Sequence, residues 1–249
     1  MMKIALLALI LSAQALFAGP SKPASPEAQA DRLRKKSITS IHYILKSEKN
    51  ADRRIELLRR LAELFAERHD YIESRELKKM AVRHDQWKKD GSAGPEPAAD
   101  YTLARAQINN AIKTYQKVIA EYPAYAQLDD VYLETGKLLI RVGNDEGVRL
   151  LKQVIEKYPE SILLPKAYVG LGDYYFDKNR MAEASDMFGS ILKYKHHGLY
   201  NYALFKLAWT YYNLAMGAPN TNEMLERSVV LLKTVVTRSE SNSRASLNL

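Results

Sequence analysis

The two stretches AIKTYQKVIAEYP (residues 111–123) and GVRLLKQVIEKYP (residues 147–159) follow one pattern and decide the fold. Each begins with a small residue, places bulky apolar residues at its fifth and eighth positions, and ends in Tyr-Pro. The second follows the first at a spacing of 36 residues. A period of this length is typical of helix pairs that cannot bury their apolar faces alone and therefore stack on their neighbours. The pattern predicts an all-α solenoid of antiparallel helix pairs, a fold that presents a long surface.

The first 18 residues predict a secretory signal peptide. Lys3 supplies the positive start, residues 4–11 are almost unbroken Leu, Ile and Ala, and small residues precede Gly19. We expect cleavage after Ala18, with Ala15 as the second choice. An uncleaved anchor is the competing interpretation, but the apolar run is shorter than the roughly 20 residues that a bilayer needs. The sequence therefore predicts export.

The chain of 249 residues contains no cysteine, which excludes disulfides, thiolate zinc sites and lipid attachment to an N-terminal cysteine. Small eukaryotic secreted domains usually depend on disulfides. Export without cysteine therefore favours a soluble bacterial periplasmic protein that is not a lipoprotein.

The net charge of +8 is concentrated before the repeats: residues 19–90 carry 18 Lys and Arg against 12 Asp and Glu. Such an excess can attract anionic surfaces, including phospholipid headgroups and the phosphates of cell-wall polymers. A solvated helix surface is the commoner explanation of the same excess. We expect no nucleic-acid partner, and peripheral contact with membrane or cell wall stays open as an alternative.

Composition and apolar spacing divide the chain into five parts. Three prolines in residues 19–30 predict a flexible tether, and two glycines with two prolines predict a loop over residues 91–100. Residues 31–90 read as a basic segment of three helices, beginning near Asp31, Asp52 and Tyr71, and include a divergent repeat. We expect this segment to pack on the first helix beyond the loop, since that helix otherwise has no stacking partner.

Residues 101–249 read as the repeat solenoid. The predicted helices are 103–121, 129–142, 146–157, 165–177, 181–194, 200–214 and 223–238. Residues 245–249 look like the beginning of another helix. We therefore expect the solenoid to be truncated at its C-terminal end, with an apolar face exposed on the helix 223–238.

These helix pairs resemble the tetratricopeptide repeat, whose pattern is a bulky residue, a Leu-Gly pair, an aromatic, then Ala and a second aromatic. The best-matching unit carries this pattern in Tyr168, Leu171-Gly172, Tyr175, Ala184 and Phe188. Neighbouring units match at Tyr132, Gly136, Leu139, Gly147, Leu151, Val154 and Pro159, and at Leu204, Leu207, Ala208, Tyr211, Ser228, Leu232 and Val235. The resemblance implies a right-handed superhelix with its small residues at close helix contacts.

An exported chain of such repeats is similar to two bacterial envelope families, the Tol-Pal associated cell-division coordinator and the outer-membrane assembly lipoprotein. Repeat proteins of envelope motility machines are a third resemblance. The first two of these families bind other proteins or their peptide segments and catalyse nothing. The chain departs from the lipoprotein family by lacking a lipidation cysteine, and from the coordinator by lacking a clear N-terminal trimerising coiled coil.

The resemblance implies that the first helix of each pair lines a concave groove and that its non-core side chains meet the partner. The residues expected to line this groove are Asp130, Leu133, Lys137, Arg141, Val169, Asp173, Phe176, Asp177, Tyr202, Phe205, Trp209 and Tyr212. The aromatic residues of the last helix could anchor an extended or helical peptide, while upstream charges set its register. An interhelical core position is the alternative for each aromatic.

No constellation in the sequence predicts catalysis, a cofactor or a metal. The histidines are His42, His69, His84, His196 and His197, and none has a metal-binding spacing, so we expect surface or turn positions. Asp173 and Asp177 share one helix face, where solvated charge is the expected role. The leading hypothesis is a non-enzymatic periplasmic scaffold for envelope assembly, division or motility. The alternative is an anionic-surface binder that acts through the basic N-terminal segment.

Overall fold

The computed structural model describes residues 25–216 and 221–247, and the predicted signal peptide lies outside them. The described residues form α-helices and one short 3-10 turn, with no strand. The helices are α1 Pro26–Leu45, α2 Ala51–Lys89, α3 Thr102–Glu121, α4 Leu128–Arg141, α5 Glu146–Lys157, α6 Leu164–Asp177, α7 Met181–Gly189, α8 Tyr200–Ala215 and α9 Thr221–Leu247. Successive helices pack against one another along the chain. The predicted all-α solenoid of helix pairs is confirmed.

Helix α1 begins earlier than the sequence predicted. Ser25 caps it by accepting a hydrogen bond from the backbone N–H of Ala28 at 3.2 Å, and Pro26 occupies the first turn. Proline is tolerated there because the N–H that it lacks would have no helical partner. Residues 26–30 are therefore helix rather than tether, and residues 19–24 of the predicted tether lie outside the described part of the chain. Helical spacing of the apolar residues predicts Leu33 on the buried face together with Ile38 and Ile41, but Leu33 is 64% exposed.

Helix α2 is one helix of 39 residues, where the sequence predicted two. Its N-cap Asn50 accepts a hydrogen bond from the N–H of Arg53 at 2.9 Å. Residues 66–70, at the predicted break, contain neither Gly nor Pro. Nothing there interrupts the backbone hydrogen bonds, so the helix continues for about 58 Å at 1.5 Å per residue.

The buried apolar residues form two core clusters, and both clusters include residues of α4 and α5. The first joins buried residues of α1, α2 and α3 to α4 and α5, among them Leu58, Ala111 and Leu139. The second joins α4 and α5 to α6, α7 and α8, around Leu171 and Phe188. The first cluster unites helices on both sides of the loop 91–100. The basic N-terminal segment is therefore packed against the repeats.

Glycines set the distance between paired helices. A Cβ atom on Gly147 of α5 would lie 2.3 Å from the backbone oxygen of Gly136 on α4. A Cβ atom on Gly172 of α6 would lie 2.6 Å from the ring of Phe188 on α7. The small residues of the repeat pattern are therefore needed where helices come close.

From α3 onward the predicted boundaries agree with the structure to within two residues, with two exceptions. Helix α7 ends at Gly189 and is followed by a 3-10 turn over Ser190–Lys193, where one helix to residue 194 was predicted. Helix α9 continues to Leu247, so residues 245–247 extend it and do not begin another helix. Val229, Val230 and Val236 on α9 are about half exposed, as expected for an apolar end face. None of the helices in the described ranges has the length and apolar character for crossing a bilayer.

Candidate functional site: a groove along α4, α6 and α8

A cavity of about 570 Å³ lies along α4 and α6, and Leu199, just before α8, also lines it. Four of the residues predicted for the groove line it: Lys137, Val169, Asp173 and Asp177. Because these residues come from the first helices of two consecutive pairs, the cavity lies on the face that the repeat pattern assigned to a partner.

A polar network joins α6 to α8 at the edge of this cavity. Tyr202 donates a hydrogen bond to Asp173 at 2.7 Å. Lys206 lies 3.2 Å from the same carboxylate and 3.9 Å from the centre of the Phe176 ring. Burial and the hydrogen bond to Asp173 raise the pKa of the Tyr202 hydroxyl. The network holds the two helices in a fixed relation and leaves Asp173 already paired.

Lys206 was missed by the sequence reasoning. It lies one helical turn after Tyr202, beside core residues, and the repeat pattern gives that position no surface role. Its contact with Asp173 depends on how α8 packs against α6. No signal within either helix could have revealed it.

Three exposed aromatic residues form a continuous apolar surface on α8, which we call the aromatic cluster: Phe205, Trp209 and Tyr212. Each is 42–43% exposed. The rings of Phe205 and Trp209 are 6.2 Å apart and those of Trp209 and Tyr212 are 5.6 Å apart, both pairs in edge-to-face geometry. Large aromatic residues with this much of their surface in water are typical anchors of protein interfaces. Each of the three side chains is therefore only partly buried between the described helices, and the rest of its surface is exposed.

The predicted groove residues of α4 are mostly engaged with other parts of the chain. Asp130 pairs with Arg59 of α2. Arg141 lies 2.5 Å from Asp70 and 2.6 Å from Glu73, both also on α2. The charged face of α4 therefore contributes to the contact between the N-terminal segment and the repeats. Lys137, which pairs with Glu134 of the same helix at 2.9 Å, is the predicted residue of α4 that lines the cavity.

The prediction that Leu133 lines the groove is wrong. Its side chain is fully buried in the second core cluster together with Leu164 and Ala167 of α6. The next helix pair covers this side of α4, which a pattern read within one repeat does not reveal. Leu133 stabilises the fold and cannot contact a partner.

His69 is also misplaced by the sequence reasoning, which expected a surface or turn position. It lies in the middle of α2 and is 6% exposed, because α3 packs over it. His197, by contrast, lies in a turn, where its Nδ1 accepts a hydrogen bond from the backbone N–H of Leu199 at 3.1 Å.

Much of the basic excess in the N-terminal segment is paired within the chain. Arg34 contacts Glu67 at 2.7 Å, and Arg68 contacts Asp31 at 2.9 Å. Arg54 donates hydrogen bonds to two backbone carbonyls and to Tyr122, and Arg59 pairs with Asp130. The solvated helix surface expected for this excess therefore does not describe Arg54 and Arg59, since each lies where α2 meets another part of the chain.

Comparison with known proteins supports the repeat assignment. The sequence model of the tetratricopeptide repeat family matches residues 100–125, which contain α3 and its flanking turns. A comparison with curated proteins finds no match to this chain. Tetratricopeptide repeats generally mediate protein–protein interactions, so the match supports a repeat protein that serves as an interaction scaffold.

Proposed function

We propose that this chain is an exported, non-enzymatic scaffold of the bacterial periplasm that binds a segment of another envelope protein along α4, α6 and α8. Export rests on the signal-like sequence of residues 1–18. The bacterial periplasm rests on the absence of cysteine from such an exported chain. Assembly, division or motility machinery of the envelope is the setting in which similar repeat chains act.

The aromatic cluster is the observation that carries this proposal. Burying the exposed part of three aromatic side chains supplies apolar contact area with little loss of conformational freedom, since each side chain has two rotatable bonds. The cavity beside α6 adds Lys137 and Asp177 as charged groups that can fix the register of a bound segment. A partner segment with apolar side chains at one end and mixed charges at the other fits this surface.

A crosslinking pull-down from periplasmic extract tests the proposal. The mature chain is compared with the Phe205→Ala and Trp209→Ala variants at low and high salt. We expect the captured partner to survive high salt and to be lost from both variants, because apolar anchoring does not depend on charge screening.

Tyr43→Ala provides a matched control. Tyr43 on α1 is 75% exposed, so the substitution removes an aromatic ring from a surface far along the chain from the groove. Capture should be unchanged in this variant. Equal loss in Tyr43→Ala and Trp209→Ala would show nonspecific adhesion and would contradict a groove site.

A second candidate, the binding of anionic groups, is favoured by one cavity. It has a volume of about 620 Å³ between α1, α2 and α3 and is lined by Lys46, Arg54, Lys113 and Lys117 around an apolar floor. Its described lining contains no carboxylate. Phosphate-type ligands are attracted to such a site.

Salt and substitution separate the two candidates. Binding of the chain to vesicles that contain an anionic phospholipid should fall steeply as salt rises if this cavity acts. The double variant Lys113→Ala and Lys117→Ala should then lose vesicle binding, whereas Phe205→Ala should keep it. Failure of the chain to bind such vesicles at low salt would remove this candidate.

A further inference from the structure

One ring nitrogen of the buried His69 has no hydrogen-bond partner. The side chain is 7% exposed, and Nδ1 lies 3.0 Å from the carbonyl oxygen of Ala104 on α3. Because a carbonyl oxygen only accepts hydrogen bonds, Nδ1 carries the proton and donates it. In the neutral form of the ring, which metal binding requires, Nε2 is then an acceptor, and it is buried without a hydrogen bond. An unpaired buried acceptor costs stability, so its retention calls for an explanation.

Two carboxylates lie next to this nitrogen. Glu73, one turn along α2, places Oε2 3.6 Å from Nε2. Asp70 supplies a second carboxylate, and the ligand atoms of the three residues lie within 4.8 Å of one another. A nitrogen lone pair and a carboxylate oxygen that face each other without a hydrogen between them repel. A cation between them converts this repulsion into attraction.

We propose that His69, Glu73 and Asp70 form a binding site for a divalent transition-metal ion of the Zn²⁺ class. In a tetrahedral site with bonds of about 2.0–2.1 Å, ligand atoms lie about 3.3 Å apart. The observed 3.6 Å between Nε2 of His69 and Oε2 of Glu73 needs an adjustment of only a few tenths of an ångström. The carboxylate of Asp70, whose ligand atom lies within 4.8 Å of the other two, has to move closer by up to about 1.5 Å. An imidazole ligand selects Zn²⁺, Ni²⁺ or Cu²⁺ over Mg²⁺ and Ca²⁺.

The surroundings of His69 match those of metal-binding histidines. Such histidines donate the second ring N–H to a carboxylate or backbone carbonyl, which fixes the tautomer and the ring orientation. The contact with Ala104 does this here. A cavity of about 600 Å³, lined by His69, Glu73, Arg105 and Arg141 among others, gives an ion an entry path and leaves room for coordinated water.

Arg141 forms ion pairs with both carboxylates, so it competes with the metal ion for them. Its guanidinium lies 2.5 Å from Asp70 and 2.6 Å from Glu73, so the two acids already converge on a positive charge. A bound ion displaces this side chain from α2. Since Arg141 is also one of the residues predicted for the groove, metal binding changes the charge available at the junction of α2 and α4.

Isothermal titration of the full chain with Zn²⁺, in a buffer that does not chelate metals, tests the site. We expect an equivalent of Zn²⁺ whose affinity falls at least about tenfold in His69→Asn and in Glu73→Gln, since even outer-shell losses cost that much. The amide of His69→Asn keeps a donor near the position of Nδ1, and Glu73→Gln offers a donor to Nε2. Both variants should therefore fold. Arg141→Met removes the competing cation and should tighten binding.

The matched control is His84→Gln, which removes another histidine that faces a glutamate. His84 Nε2 lies 3.2 Å from Glu96, and its side chain is 26% exposed. Zn²⁺ affinity should be unchanged in this variant, and Mg²⁺ should not compete. Failure of the parent chain to bind Zn²⁺, equal affinity in the parent and Glu73→Gln, or loss of binding in His84→Gln would each overturn the assignment. The site stands independently of the groove proposal.

Discussion

Replacement of Gly147 by Ala tests whether close helix contact holds the repeats together. The new Cβ atom would lie 2.3 Å from the backbone oxygen of Gly136 and 2.8 Å from Cγ1 and the backbone nitrogen of Ile140. Ordinary van der Waals contacts of a Cβ atom begin at 3.4 Å. Two of these three obstacles are backbone atoms, which no rotamer change can move. Helices α4 and α5 must therefore separate by about 1 Å, the shortfall between 2.3 and 3.4 Å.

The expected cost follows from two opposing effects. Overpacking of a well-packed core costs about 1–3 kcal/mol, and a backbone obstacle places Gly147→Ala at the upper end. The higher helix propensity of Ala offsets about 1 kcal/mol of this destabilisation. The net loss is about 2 kcal/mol of unfolding free energy. In a chain of this size that lowers the midpoint of thermal unfolding by roughly 4–8 °C.

Thermal unfolding followed by circular dichroism measures this loss against a matched substitution. Gly189 at the end of α7 has φ −58°, and a Cβ atom there meets nothing within 4 Å. Gly189→Ala should leave the midpoint unchanged or raise it, because it gains helix propensity without a clash. A midpoint for Gly147→Ala at or above that of Gly189→Ala would refute the close-contact reasoning.

Three further predictions concern the core, the α6–α8 network and acid stability. Leu133→Ala should lose about 2–5 kcal/mol of unfolding free energy, because it leaves a cavity in the second core cluster. A loss below about 1 kcal/mol in a denaturant titration would contradict the buried position of Leu133. Tyr202→Phe removes the hydrogen bond to Asp173 and should cost about 0.5–1.5 kcal/mol, and an unchanged unfolding midpoint would contradict the network. Burial alone would raise the pKa of Glu67, but the hydrogen bond from Arg34 and nearby positive charge lower it below 4.5. Its ionised form therefore stabilises the fold above pH 4.5, and this stabilisation disappears as pH falls through the lower folded-state pKa. The parent chain should therefore unfold at a higher temperature than Glu67→Gln at pH 7 and at the same temperature at pH 2. A parent chain that still unfolds at a higher temperature at pH 2 would contradict the assignment.

The helix pairs were predictable because their signals lie within single repeats. Tyr-Pro at 122–123 and 158–159 ends α3 and α5, and the Gly-Asn turn at 143–144 separates α4 from α5. Apolar spacing of 3.6 residues does not depend on distant contacts. The predicted bounds of α5 agree with the structure at both ends.

The predictions that failed depend on contacts between repeats or on the absence of a local signal. Leu133 is buried by α6, and His69 is buried by α3, so neither position can be read from its own helix. The continuity of α2 was missed because the apolar stripe changes near residue 70 without any residue that breaks a helix. The aromatic cluster, in contrast, follows from the repeat pattern, since positions 205, 209 and 212 share one face of α8.

The central claim is that the aromatic cluster contacts a protein partner, and site-specific photo-crosslinking tests it most directly. A photoreactive phenylalanine analogue is placed at position 212 on α8 or at position 43 on α1, and cells are irradiated. We predict an adduct from position 212 that disappears when Phe205 and Trp209 are both changed to Ala, and no corresponding adduct from position 43. An adduct at position 212 that survives the double substitution, or adducts formed only at position 43, would contradict the claim.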